Sequence, residues 1–229
     1  MTYRAVLFDL YGTLVFDKFS SKAFPPFQAG QASLLGLQEE EFIPLWNDSF
    51  QDRVKGKFQH YQENFIWIAR SLGKQLDPAA VEEAAENMVE FTRQSLRIRE
   101  GALDVLNQLR AIGVKTGLLS DCGPACPVLW KETPMSPLFD CATFSCLEKT
   151  KKPDPRFYQT ALDRLGIPAS ECLYVGDGHG QELTGAKRMG MRPVQIYSAI
   201  GPDEPDRLVV KDWEGTTIQA LSEVLNLLG

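Results

Sequence analysis

The chain has 229 residues, of which 44% are hydrophobic and 24% charged, enough for one large or two smaller domains with a buried core. Its formal net charge is −6, and this acidic balance argues against a nucleic-acid partner. No stretch reaches the roughly 18 apolar residues of a membrane span. Tyr3 and Arg4 lead straight into a predicted strand without a signal peptide, so we expect a cytoplasmic protein that does not bind membranes.

The first predicted strand runs from Ala5 to Phe8, and the segment 15–98 that follows contains no convincing strand. Its apolar residues instead recur at helical spacing. Asp77 and Pro78 are typical of a helix N-cap and first helical position. The predicted helices of this segment lie at 42–50, 65–72 and 77–96. We therefore expect a helical insert.

From about residue 99, predicted helices and strands alternate. The helices lie at 101–112, 154–165 and 182–189, and the strands at 115–119, 141–145, 173–175 and 193–196. Such alternation is typical of a parallel sheet flanked by helices, with a site at the carboxyl ends of the strands. The fold class that we expect is α/β with a Rossmann-like parallel sheet.

The five cysteines are odd in number, which suits a reducing compartment. Neither Cys122 with Cys126 nor Cys141 with Cys146 has the two-residue spacing of a zinc knuckle, and no histidine lies beside them. We expect buried structural thiols rather than metal ligands.

An acid ends the first predicted strand, in the stretch from Val6 through Asp9 and Tyr11 to Thr13. An ionised carboxylate at the tip of a buried strand needs a charge partner or a metal. The stretch resembles the first motif of the haloacid dehalogenase-like (HAD) hydrolases, whose usual form is apolar residues followed by D-x-D-G-T. Here Tyr11 takes the place of the second acid.

Three later segments resemble the other motifs of this family, in the expected order. Ser120 ends a short strand, as in the second motif, and Lys152 begins a K-P-x-P-x-x-[FY] segment. Asp177 and Glu182 follow a strand in the G-D-x-x-x-x-[DE] pattern of the fourth motif. The resemblance runs from about residue 4 to about residue 197. It implies a core formed by 1–14 and 99–229, covered by a helical C1 cap at 15–98.

The resemblance also implies chemistry. Asp9 would be the nucleophile that forms an aspartyl-phosphate intermediate. A Mg²⁺ ion would be held by Asp9, the backbone carbonyl of Tyr11, Asp177 and Glu182. The substrate, a small phosphorylated metabolite, would be bound by Thr13, Ser120, Asp121 and Lys152. Catalytic roles would belong to Asp9, Tyr11 and Lys152.

Tyr11 leaves a second function open. A tyrosine is a poor base at neutral pH, and the D-x-Y-G-T form resembles the L-2-haloacid dehalogenases, which are metal-free. Their fourth motif lacks the G-D pair, however, and asparagine takes the place of Asp121. The intact Asp177 and Glu182 favour a magnesium-dependent phosphatase. The alternatives are a dehalogenase-like hydrolase, or a binding module whose active site has lost its activity.

Within the cap, Asp17, Arg53 and His60 are candidate replacements for the missing acid–base group. Arg53 has two further interpretations, contact with a substrate anion and a salt bridge inside the cap. We expect the aromatic residues of the cap to form its core rather than a substrate box; they are Phe16, Phe19, Phe24, Trp46 and Tyr61. We expect His179 to lie in a solvated turn. We expect the protein to be a monomer or a homodimer.

Overall fold

A parallel sheet lies at the centre of the computed structural model, which describes residues 3–201 and 203–229. Its six strands are ordered β3-β2-β1-β4-β5-β6, and each neighbouring pair is parallel. The strands are β1 (Ala5–Phe8), β2 (Lys115–Ser120), β3 (Cys141–Phe144), β4 (Cys172–Gly176), β5 (Arg192–Ile196) and β6 (Thr216–Ile218). The predicted α/β parallel sheet is confirmed. The three-residue β6, which has no apolar run, was not predicted.

The central strand β1 determines where the functional residues meet. Phe8 is in register with Leu118 of β2 on one side and Val175 of β4 on the other. The carboxyl ends of these three strands therefore lie at one edge of the sheet. Asp9, Ser120 and Asp177 stand at those ends.

Helices cover both faces of the sheet. Because side chains alternate along a strand, Val6 and Phe8 enter the apolar core on one face, and Ala5 and Leu7 enter the core on the other. All four are fully buried, as the central strand of a parallel sheet requires.

The segment after β1 is helical, as predicted. It contains α1 (Phe24–Leu34), α2 (Glu39–Asp48), α3 (Phe50–Val54), α4 (Tyr61–Ser71) and α5 (Pro78–Ser95). Asp77 caps α5 through a 3.4 Å hydrogen bond from the Ala79 amide. The helices share an apolar core that includes Phe42, Phe65 and Met88. We call these five helices the cap; the domain boundaries expected from the sequence stay a prediction.

The remaining helices alternate with the later strands. They are α6 (Ala102–Ala111), α7 (Cys126–Trp130), α8 (Ser145–Glu148), α9 (Pro155–Leu165) and α10 (Glu182–Arg188). The short α7 and α8, and α1 in the cap, were not predicted. No helix in the described residues combines the length and apolarity needed to cross a membrane.

Candidate active site

Asp9 follows β1 directly and is almost completely buried. Its amide donates to the Val175 carbonyl at 2.9 Å, which continues the β1–β4 ladder to the residue itself. Its Oδ1 pairs with the Lys152 ammonium, and its Oδ2 accepts a 3.3 Å hydrogen bond from Thr13 Oγ1. The structure thus brings together three residues that the sequence assigned to one site.

Lys152 is held from both ends. Its amide donates to Asp121 Oδ1 at 3.1 Å, and its Nζ lies 2.6 Å from Glu182 Oε2 in addition to the Asp9 contact. Burial alone would lower the pKa of Lys152, but Asp9 and Glu182 outweigh burial and raise this pKa well above its usual value. The ammonium therefore stays charged beside Asp9.

Glu182 begins α10, and its side chain is fully buried. Besides Lys152, its carboxylate accepts hydrogen bonds from the Tyr174 hydroxyl at 2.7 Å and the Gly178 amide at 2.8 Å. A Cβ on Gly176 would lie 2.2 Å from Glu182 Oε1, so the glycine of the fourth motif makes room for this carboxylate. The contacts of Glu182 position Lys152.

Asp177, one residue after β4, accepts three hydrogen bonds. Two come from the His179 amide at 2.9 Å and Ser198 Oγ at 2.7 Å. The third comes from His179 Nδ1 at 3.0 Å when this ring nitrogen carries a proton. Burial would raise the pKa of Asp177, but the contact with His179 lowers it. The hydrogen bond to Asp177 in turn raises the pKa of His179 to about 9. His179 is half-exposed, yet it contacts the expected metal ligand instead of lying in a purely solvated turn.

The three acids form a group suited to a divalent cation. Asp9, Asp177 and Glu182 each place one carboxylate oxygen within 4.8 Å of the others. It is the one cluster of at least three possible ligand residues that residues 3–201 and 203–229 contain, and no cysteine belongs to it. Lys152 compensates only part of this buried negative charge, and hard oxygen donors are what Mg²⁺ prefers. The residues present fit a magnesium ion.

Ser120 Oγ is an unsatisfied polar atom at the end of β2. It is fully buried, and it has no hydrogen-bond partner in the described part of the chain. Leaving a buried hydroxyl unpaired is unfavourable, which makes Ser120 Oγ a candidate ligand-binding group at the carboxyl edge of the sheet.

A cavity of about 500 Å³ lies between the sheet edge and the cap. From the core it is lined by Asp9, Lys152 and His179 among others. Four aromatic residues that we expected in the cap core also line it: Phe19, Phe24, Trp46 and Tyr61. Trp46 and Tyr61 belong to that core as well. The expectation of a purely structural role was therefore incomplete.

Tyr11 forms part of the cavity wall. Its ring packs edge-to-face on Phe19, with centroids 5.6 Å apart, and its hydroxyl lies near Cys122 and Cys126. Burial raises the pKa of Tyr11 well above its usual value. The phenol therefore stays neutral, which suits neither a base nor a strong acid.

The three candidate replacements for the acid–base group differ in position. Asp17 is buried, lines the cavity and caps the 3₁₀ turn Lys18–Ser20 through the Ser20 amide at 3.3 Å. Burial raises the pKa of Asp17. Arg53 also lines the cavity, and it forms no salt bridge with any described residue. His60 lines a different depression on the cap.

Sequence reasoning missed several residues that shape the site. Ser198 donates a hydrogen bond to Asp177, and Tyr174 donates one to Glu182. Neither residue belongs to a recognisable catalytic position of a motif. Arg99 donates to the carbonyls of Gly12 at 3.4 Å and Tyr197 at 2.7 Å, which fixes the loop after β1. A polar residue just beyond the end of β5 was the one available indication of Ser198.

Comparison with known proteins agrees with this geometry. The sequence profile of haloacid dehalogenase-like hydrolases matches residues 3–190. The chain is 24% identical over 234 residues to the glyceraldehyde 3-phosphate phosphatase of Methanocaldococcus jannaschii, covering 98% of this chain and 96% of that protein. It is 26% identical over 227 residues to the (S)-2-haloacid dehalogenase of Pseudomonas sp. strain YL, covering 96% and 94%.

Solved structures show the same fold. The HAD phosphatase of Thermococcus onnurineus superposes with a TM-score of 0.63 at 24% identity, over 99% of this chain and 98% of that one. The profile match spans most of the sequence and includes all four motif segments. The chain belongs to the family of haloacid dehalogenase-like hydrolases.

Proposed function

We propose that this hydrolase is a magnesium-dependent phosphatase that acts on a small phosphate monoester through an aspartyl-phosphate on Asp9. The observation that carries the proposal is the cluster of the buried acids Asp9, Asp177 and Glu182, in which Lys152 contacts Asp9 and Glu182 but not Asp177. Without a metal, Lys152 and the half-exposed His179 would have to compensate three carboxylates, which leaves part of this negative charge unbalanced. A relative that is named as a phosphatase supports the same activity.

The chain's own residues supply the nucleophile and its surroundings. A carboxylate oxygen of Asp9 would attack phosphorus, so that a new P–O bond forms while the bond to the ester oxygen breaks; this oxygen leaves as the alkoxide and takes a proton to become the alcohol. Water would then attack the acyl phosphate, which releases inorganic phosphate and regenerates the Asp9 carboxylate. Lys152, Thr13 and Ser120 would bind phosphoryl oxygens and offset the charge that approaches Asp9; their proximity to Asp9 or to the same sheet edge supports this role.

Asp9, Asp177 and the Tyr11 carbonyl would hold the magnesium ion, with Glu182 next to it. When bound, the ion supplies positive charge that lets an anionic phosphate approach an anionic carboxylate. Glu182 keeps its own role, since its contacts orient Lys152.

Proton delivery to the leaving group distinguishes this site from one with a second acid. Tyr11 is neutral and half-buried, so esters or acyl phosphates with good leaving groups are the expected substrates. Asp17 is the best placed of the three candidate replacements, because it is buried in the same cavity and its raised pKa favours holding a proton. The cytoplasmic location and the lack of nucleic-acid and membrane partners stay predictions.

Tyr11 and the dehalogenase relative favour a second candidate, hydrolysis of 2-haloacids. One panel separates the possibilities: phosphate esters of graded leaving-group pKa and L-2-haloacids, each with magnesium and with chelator. Phosphate release that needs magnesium supports the phosphatase. Halide release in chelator supports the dehalogenase. The absence of both reactions supports the binding module.

A further inference from the structure

Arg53 is a buried cation of the cap whose charge no described residue neutralises. It lies in α3 and is only 6% exposed. The adjacent acid, Asp52, pairs instead with Lys57 at 2.6 Å. Burial lowers the pKa of Arg53 to about 10, which still leaves the guanidinium charged at neutral pH. A buried charge without a counterion is unfavourable, so it indicates a missing partner.

The contacts of Arg53 fix one of its nitrogens and leave two available. Nη1 donates to the Trp46 carbonyl at 2.6 Å, Ser49 Oγ at 2.7 Å and Asn64 Oδ1 at 2.9 Å. The guanidinium carbon lies 3.8 Å from the centroid of the Trp46 ring, which restrains its plane. Among the described residues, no acceptor contacts Nε or Nη2.

Neither of these two nitrogens is fully closed off from solvent. Ser120 Oγ and Thr150 Oγ1 are the buried side-chain atoms of the described chain that lack a partner, and neither guanidinium nitrogen is among them. Nε and Nη2 are therefore solvent-accessible, and the space that Arg53 lines is the cavity shared with Asp9. The Nε–Nη2 edge presents two parallel donors, the arrangement that binds both oxygens of a carboxylate.

Apolar side chains make up much of the wall of the cavity that Asp9 and Arg53 both line. Its side chains include Phe19, Phe24, Trp46 and Met88. A substrate that fills this cavity would present a phosphate to Asp9, a flat or aliphatic part to the apolar side chains, and one negative group to Arg53. One guanidinium matches the charge of one carboxylate.

We propose that Arg53 is a specificity residue that binds a carboxylate of the substrate, and that the substrates are phosphate monoesters of aromatic or similarly apolar acids. This inference rests on the proposed phosphatase function. It concerns the organic part of the substrate and leaves the chemistry at Asp9 unchanged.

A matched pair of substrates tests it: 4-(phosphonooxy)benzoate and its methyl ester, which differ mainly in one charge. We expect kcat/KM, measured by phosphate release with magnesium, to favour the acid by about 10- to 100-fold, as for a charge-assisted hydrogen bond. Arg53→Gln should reduce this acid-to-ester ratio to about one. Arg70→Gln is the control, because Arg70 is an exposed arginine of the cap. This variant should leave the ratio unchanged.

A purely structural role of Arg53 would lower kcat/KM for both substrates equally and preserve the ratio, which overturns the proposal. If Arg53→Gln does not fold, Arg53→Lys replaces it, because lysine keeps the cation but loses the paired donors. We expect a partial fall in the acid-to-ester ratio for this variant. An unchanged ratio overturns the proposal.

A binding measurement separates this inference from the proposed function. The Asp9→Asn protein should bind the acid about 10-fold or more tightly than the ester by calorimetry, whether or not the parent hydrolyses either. Equal affinity overturns the role of Arg53. Tighter binding of the acid without hydrolysis by the parent supports Arg53 and overturns the phosphatase.

Discussion

Glu182 holds Lys152 beside Asp9: Oε2 of Glu182 lies 2.6 Å from the ammonium nitrogen. The same nitrogen pairs with Asp9. The lysine therefore connects Asp9, 143 residues before it, with Glu182, 30 residues after it. Tyr174 and the Gly178 amide complete the contacts of the Glu182 carboxylate. The position of the cation thus depends on an acid that need not touch the substrate.

Replacing Lys152 by methionine should reduce activity and make stability depend on pH. Asp9 and Glu182 would lose their shared cation, which costs about 3–5 kcal/mol for a buried pair at neutral pH. Their carboxyl pKa values in the folded variant would exceed those in the unfolded chain. Stability of the variant should therefore fall as pH rises from 5 to 8, and the deficit relative to the parent should shrink towards pH 4.

Denaturant unfolding at several pH values, in chelator, measures this effect. Lys151→Met is the matched control, because Lys151 lies 3.5 Å from Asp121 and is partly exposed. Its loss should change stability by less than about 1 kcal/mol. Equal pH profiles for the two variants would contradict the role assigned to Lys152.

Asp9→Asn should lower kcat by roughly 1,000-fold or more, because loss of a nucleophile costs up to about a million-fold in other enzymes. Melting temperature should not fall, since asparagine keeps the shape and removes one charge from the acidic cluster. The exposed Asp163→Asn serves as control and should retain parent activity. Parent-level turnover by Asp9→Asn would show that another group attacks.

Asp177→Asn should remove the response to magnesium. In the parent, magnesium at 100 times its Kd should stabilise the fold by about 2.7 kcal/mol, seen as a higher melting temperature. The variant, which loses a charged oxygen ligand, should show little shift and little stimulation of activity. If magnesium does not change the melting temperature of the parent and the parent is fully active in chelator, the metal site is contradicted.

Tyr11→Asp should raise turnover by about 10-fold or more for esters with poor alkoxide leaving groups, because general acid–base catalysis contributes about 100- to 10,000-fold in well-formed sites. The gain should shrink for nitrophenyl phosphate, whose leaving group departs unaided. Tyr11→Phe is the control and should change little, since the neutral phenol has no proton role. A loss with Tyr11→Asp that is independent of leaving group would instead assign Tyr11 to substrate positioning.

Gly12→Ala should disturb Asp177, the proposed metal ligand, directly. Gly12 has a φ of +77°, and a Cβ there would lie 2.4 Å from Asp177 Oδ2 and 2.3 Å from Ser198 Oγ. We expect loss of magnesium stimulation together with lower stability. Gly113→Ala has a similar φ of +76° with no atom within 4 Å of the added Cβ. It should cost about 1 kcal/mol and keep activity, which separates backbone strain from the collision at Asp177.

The sequence alone predicted the order of strands and helices well where local patterns are strong. Asp77 and Pro78 marked the start of α5, and the strands next to β1 were placed within a residue or two of their observed bounds. It missed α1, whose apolar residues do not follow a clear helical period, and the short β6 at the edge of the sheet. Helix caps and apolar periodicity act over a few residues, and for this reason they can be identified without a fold.

The strand-end residues of the site were likewise determined by the sequence, because parallel β-α alternation brings the ends of β1, β2 and β4 to one edge. Only the tertiary structure decided how they interact. Glu182 takes Lys152 as its partner, and Ser198 and His179 occupy Asp177. Arg53 lines the cavity and bonds to neutral groups of the cap, without a salt bridge to any described residue. Each of these outcomes depends on the separation of side chains far apart in the chain and on how deeply packing excludes water from them, and neither quantity is encoded in a local pattern.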